Sequence, residues 1–142
     1  MNTTRLLLVE DDLGHVELLR RHFARNGFSS VLAVHSGEAA LEELLGPNLA
    51  TSPVVVMLDL NMPGSVNGLK VLQRLKQDPR TRAIPVIVLT TSDDPKEVQR
   101  CYEAGCNLYI PKPIDPLQFR EFVRRISELL SITCLPVGHS NL

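Results

Sequence analysis

Four clusters of reactive side chains in this sequence each follow a short apolar run. Glu10, Asp11 and Asp12 follow RLLLV at 5–9, and Asp59 follows VVVML at 54–58. Thr90 and Thr91 follow PVIVL at 85–89, and Lys112 follows NLYIP at 107–111. An apolar run without polar alternation suits a parallel strand buried on both faces. Residues just past the carboxyl ends of such strands stand where open α/β sheets hold their chemistry. Singly, each cluster has a plain explanation: a solvated acid, a helix-capping threonine, a Lys-Pro turn. Together they offer carboxylates, hydroxyls and one ammonium at four matched strand ends.

The intervening segments read as helices that would position these ends. Val16, Leu19 and Phe23 repeat at helical spacing over 14–26, and Asn26-Gly27 closes that helix. Ser30–His35 reads as a second strand. Ser36-Gly37-Glu38 opens a helix with Ala40, Leu41, Leu44 and Leu45, stopped by Gly46-Pro47. Residues 46–53 read as a slightly long surface loop. A Gly/Asn-rich loop at 64–68 leads into a helix with Leu69, Leu72 and Leu75, ended by Asp78-Pro79. Asp94-Pro95 caps and starts the next helix, with Val98, Cys101, Tyr102 and Ala104 as its apolar content. Asp115-Pro116 caps a last helix through Leu130. Five strands alternating with five helices predict a parallel sheet covered on both faces.

Composition narrows the class. A chain of 142 residues with 44% hydrophobic content supports one domain with a short tail. Fifteen Lys+Arg against sixteen Asp+Glu give a net charge of −1, without the basic excess of a nucleic-acid binder. The apolar run at 6–9 is too short for a signal-peptide core or a membrane span. A soluble cytoplasmic protein with no membrane partner is expected. Cys101, Cys106 and Cys134 fit no zinc or redox spacing and read as incidental thiols.

LLLVEDD at 6–12, VVVMLDLNMP at 54–63, IPVIVLTTS at 84–92 and YIPKP at 109–113 stand in the order found in a known family. Residues 5–130 resemble the receiver domains of two-component response regulators, with 131–142 as a C-terminal extension. The resemblance implies a flavodoxin-like strand order, 2-1-3-4-5. It implies that Asp59 accepts a phosphoryl group from a phosphohistidine of a histidine kinase, forming an acyl phosphate. Clustered acids favour a cation, and Mg2+ prefers oxygen ligands. Asp11, Asp59 and the backbone carbonyl of Asn61 are expected as direct ligands, with Glu10 acting through water and Asp12 outside the set. Lys112 would hold one phosphoryl oxygen and the Thr90 hydroxyl another. Thr90 and Tyr109 would form the switch pair, with Tyr109 turning inward on phosphorylation. The resemblance also implies a cis Lys112–Pro113 peptide.

Two features depart from the family pattern. The loop after Pro63 reads GSVNG, one residue longer than in many receivers, with Asn67 where an acid commonly stands. Thr91 occupies a position where many relatives have a small residue, which would slow access of small phosphodonors or water. No effector module follows before Leu142, so a stand-alone receiver acting through protein contacts is expected. Phe119, Phe122, Val123, Ile126, Leu129 and Leu130 give the last helix a wide apolar surface. Phe119, Phe122, Ile126 and Leu130 are therefore candidates for a homodimer interface, against the plainer reading that they close the core. DLNMP, VLTTS and the extension resemble the small response regulators paired with phytochrome-type histidine kinases.

Other chemistries on strand-end acids fit less well. A haloacid-dehalogenase-type phosphatase needs a second acid two residues beyond the nucleophile, and Asn61 stands there. A flavin-binding module needs a neutral phosphate loop after the first strand, where Glu10-Asp11-Asp12 would repel the phosphate. A nucleotide-binding enzyme needs a glycine-rich loop at the same place. A receiver that has lost phosphorylation and serves only for docking is disfavoured by the intact Asp11, Asp59, Thr90 and Lys112.

Overall fold

The apolar runs become the interior of a five-stranded, wholly parallel sheet. In the computed structural model, which describes residues 4–46 and 54–136, the strands are β1 (Arg5–Val9), β2 (Val31–Val34), β3 (Val54–Leu58), β4 (Val86–Thr90) and β5 (Leu108–Pro111). Their order is β2-β1-β3-β4-β5, the doubly wound order the resemblance implies. β3 and β4 are buried at every residue, and β1 at all but Arg5. The side-chain period of two splits them between two layers. Leu7, Val9, Val56, Leu58, Val86 and Val88 face one core, while Leu6, Leu8, Val55, Met57, Ile87 and Leu89 face the other. Burying one such side chain stabilises by about 1.5–3 kcal/mol. The edge strands β2 and β5 are only half-buried.

Helices α1 (Leu13–Arg25) and α5 (Pro116–Ile132) cover the second core with Leu19, Phe23, Phe119, Val123, Ile126 and Leu130. Helices α2 (Gly37–Leu45), α3 (Gly68–Gln77) and α4 (Pro95–Ala104) cover the first, with Ala40, Leu44, Val71, Leu72, Leu75 and Cys101. On α3 it is Val71, not Leu69, that joins Leu72 and Leu75 in the fully buried set; Leu69 packs at its margin. Among the described residues, no helix is long and apolar enough to cross a membrane.

The caps follow the sequence except at one helix. The Ser36 hydroxyl accepts from the Ala39 N–H at 3.1 Å, and the Asp94 carboxylate accepts from the Lys96 N–H at 3.0 Å. Asp115 makes no side-chain capping bond. Pro116 opens α5 instead, because its missing N–H removes one donor that would need a cap. The helix also runs past Leu130 to Ile132, so the C-terminal extension begins as helix. Beyond it, Leu135 packs against the α1–α5 core, whereas Ile132 is exposed. The expected loop at 47–53 and Val137 lie outside the described residues.

These caps give a contrast that urea titration can read. Ser36→Ala should lower unfolding stability by about 0.5–2 kcal/mol. Asp115→Ala should change it by less than about 0.5 kcal/mol, as an ordinary surface substitution.

Candidate functional site

Strand register assembles the site. β1 and β3 are neighbours, yet β1 leads to a helix on one face and β3 to a helix on the other. That reversal opens a crevice at their carboxyl ends. Val9 pairs with Leu58, so Glu10 and Asp59 emerge side by side, and the Asp59 N–H donates to the Val9 carbonyl at 3.0 Å. On the other flank Thr90 pairs with Pro111, which brings Lys112 to the same rim.

Glu10, Asp59, Thr90 and Lys112 are all buried, whereas Asp11 is exposed. One carboxylate oxygen from each of Glu10, Asp11 and Asp59 lies within 4.8 Å of the others. The Lys112 ammonium donates to Glu10 Oε1 and stands 3.4 Å from Asp59 Oδ2. Burial pushes the Glu10 carboxyl above the ordinary glutamate range; the adjacent Asp59 pushes the same way, and Lys112 opposes both. Three carboxylates against one ammonium leave an excess of negative charge, carried on oxygen only. That donor set fits a hard divalent cation such as Mg2+.

Asp12 is employed elsewhere. Its Oδ1 accepts from the N–H groups of Gly14 and His15 at 2.9 and 3.2 Å, capping α1. The backbone N–H of His15, followed by that of Gly14, holds its carboxyl below the usual aspartate range.

Asn61 contributes more than a carbonyl. Its backbone N–H donates to Asp59 Oδ1 at 3.0 Å, folding the loop back over the carboxylate. Its side-chain Nδ2 donates to Thr90 Oγ1 at 3.1 Å, tying β3 to β4 across the site. The Tyr109 hydroxyl donates to the Ser92 carbonyl at 2.8 Å and stands 3.2 Å from Glu97 Oε1. Burial and Glu97 push its phenol up to about 12. Tyr109 therefore rests half-buried against the loop after β4. Thr91 is exposed and lines a cleft of ≈ 200 Å3 with His15, Leu18, Lys112, Ile114 and Phe119. The amide of Asn61, the Ser92 carbonyl, Glu97 and His15 were not singled out from the sequence, since their roles depend on contacts across strands.

The unusual loop is braced. Asn67 caps α3, its Oδ1 accepting from the Lys70 N–H at 3.0 Å, which accounts for an amide at this position. The Val66 carbonyl rests on Gly37 at the start of α2, where a Cβ would meet it at 2.1 Å. Ser65 donates to Glu38 Oε1 at 3.3 Å. Gly68 sits against the backbone of Asp59, its would-be Cβ 2.4 Å from the Asp59 carbonyl oxygen.

Two expectations are corrected. Phe119, Ile126 and Leu130 are buried within the chain, and Phe122 is half-buried, stacked edge-on to Phe119 at 4.8 Å. These residues close the α1–α5 core, because a helix packed against both a sheet face and a neighbouring helix needs a wide apolar stripe. The exposed apolar residues of α5 are Leu117, Leu129 and Ile132. The Lys112–Pro113 peptide is trans, the isomer X–Pro bonds favour.

A family model of the response regulator receiver domain matches residues 6–124. The chain belongs to this family. It is 39% identical over 130 residues to the probable methanogenesis regulatory protein FilR2 of Methanothrix harundinacea, covering 87% of this chain and 79% of the relative. A receiver domain from Rhodospirillum rubrum superposes with a TM-score of 0.88 at 36% identity, covering 96% of this chain and 99% of that one. The phosphorylated cyanobacterial phytochrome response regulator RcpA superposes with a TM-score of 0.86 at 31% identity, with coverage of 96% and 99%. Receiver domains are signalling modules of two-component phosphorelays.

The close approach at Gly68 gives this receiver a direct structural test. Gly68→Ala must displace the Asp59–Leu60 backbone, and a loss of about 1–3 kcal/mol is expected from urea unfolding, the range for overpacking.

Proposed function

We propose that this receiver takes a phosphoryl group onto Asp59 from the phosphohistidine of a histidine kinase, in a magnesium-dependent reaction, and then alters its protein contacts. The observation that supports this most is the convergence of Glu10, Asp11 and Asp59 with the buried ammonium of Lys112. A carboxylate oxygen of Asp59 attacks phosphorus in line. The P–N bond to the donor imidazole breaks, and its electron pair leaves with the ring. Lys112 stays protonated and turns from Asp59 to a phosphoryl oxygen. Asp11, Asp59 and the Asn61 carbonyl would hold Mg2+ directly and Glu10 through water; the bound ion neutralises charge on the acids and on the phosphoryl group. Positioning and charge neutralisation are most of what phosphoryl transfer requires.

The Thr90 hydroxyl would then leave the Asn61 amide for a phosphoryl oxygen. Tyr109, already bonded to the Ser92 carbonyl, would follow into the vacated space, shifting the β4–α4 loop and the exposed face of α4 and β5. The likeness to RcpA, a phytochrome response regulator, supports a phytochrome-type kinase as partner. A homodimer built on α5 would use Leu129 and Ile132, one helical turn apart and both exposed.

Intact mass after incubation with acetyl phosphate and Mg2+ tests the reading. The wild type should gain one phosphoryl group, while Asp59→Asn, or wild type with excess EDTA, should gain none. A wild type that stays unmodified with every donor in the presence of Mg2+ would sink the proposal and favour a docking module. Size exclusion on the same samples should show a change in elution on phosphorylation, which Leu129→Glu abolishes.

A further inference from the structure

Lys112 is a buried cation whose partners can be counted. Its side chain is 2% exposed, so its hydrogen bonds must be made with protein groups. An ammonium carries three donors and no acceptor. Three acceptors face it: Glu10 Oε1, Asp59 Oδ2 at 3.4 Å, and His15 Nδ1 at 3.2 Å. Two are carboxylates of the acidic cluster, and the third is an imidazole.

Because Lys112 can only donate, His15 Nδ1 in this contact must be the unprotonated nitrogen, and the ring proton sits on Nε2. Carboxylate oxygens of Glu10 and Asp12 lie farther from the same nitrogen, at 3.5 and 3.9 Å. The imidazole is held in place from two sides. Its backbone N–H is fixed by the Asp12 cap of α1, and its ring lies 6.5 Å from Phe119, tilted by 37°. Helix α1 thus extends a neutral acceptor to the ammonium beside the Glu10 carboxylate.

Resting on the reading of Asp59 as the phosphoacceptor, we propose that His15 is a positioning residue for phosphoryl transfer. It holds the Lys112 ammonium at the mouth of the site while the contact between Lys112 and Asp59 gives way to a phosphoryl oxygen. Without this acceptor, the partners left to Lys112 among the described residues are carboxylates, and it is drawn deeper among them, where it masks the oxygens of Asp59. A carboxylate at position 15 would hold Lys112 but would repel the incoming phosphoryl group; a neutral imidazole holds Lys112 without that repulsion.

Two readouts on His15→Leu and His15→Gln test this. The first is the 1H–15N signal of the Lys112 ammonium in metal-free protein, assigned with Lys112→Arg. The second is the rate of Asp59 labelling by acetyl phosphate with Mg2+. Wild type should give a resolved ammonium signal. His15→Leu should broaden or shift it and slow labelling by roughly 2- to 10-fold, the worth of one neutral hydrogen bond. His15→Gln, whose Oε1 can accept, should keep the signal and a rate within about twofold of wild type. If His15→Leu matches wild type in both readouts, or if His15→Gln is as impaired as His15→Leu, the positioning role is overturned while the phosphoacceptor reading stands. If the wild type itself is never labelled, the phosphoacceptor reading fails and the positioning role falls with it.

Discussion

Two buried carboxylates share one buried ammonium at the carboxyl rim of the sheet, and much else is arranged to keep that group intact. Glu10 and Asp59 come from adjacent strands, and Lys112 reaches them from β5, two strands beyond Asp59. Removing one member of such a set would leave an uncompensated buried charge, a severe penalty. The set is also incomplete: with Asp11 nearby it holds more negative than positive charge. An excess of this kind, carried on oxygen, suits a further cation. The stable scaffold lies beneath it, in strands buried on both faces whose register leaves little freedom at the rim.

Much of this was legible in the sequence because strand ends are legible. Uninterrupted apolar runs ending in Asp, Thr or Lys mark where a parallel sheet delivers its chemistry, and Asp59, Thr90 and Lys112 stand there. The alternation of elements led to a parallel sheet covered on both faces, and the motif order led to the family, whose resemblance implied the strand order. What stayed hidden depends on distance between segments remote in sequence. The bond from Asn61 to Thr90 spans 29 positions and that from Lys112 to His15 spans 97, with no local pattern to announce either.

The α5 residues mark a different limit. Phe119, Ile126 and Leu130 read equally well as an interface or as core, since periodicity gives the width of an apolar stripe but not what covers it. In the structure α1 and the sheet cover them. Asp115 illustrates the same point at smaller scale. A good capping residue type in the right place makes no capping bond, and the proline that follows lessens the need for one.

The loop after Asp59 leans on Gly37, with the Val66 carbonyl where a side chain at position 37 would be. Helix α2 carries none of the reactive groups, yet its first residue sets how an extended loop can pass beside Asp59. Loop length and residue 37 are thus mutually constrained, and natural variants of this chain should change them together. A receiver with the shorter loop would be free to place a larger residue at the start of α2, whereas grafting the GSVNG loop onto such a receiver would fail unless the glycine travelled with it.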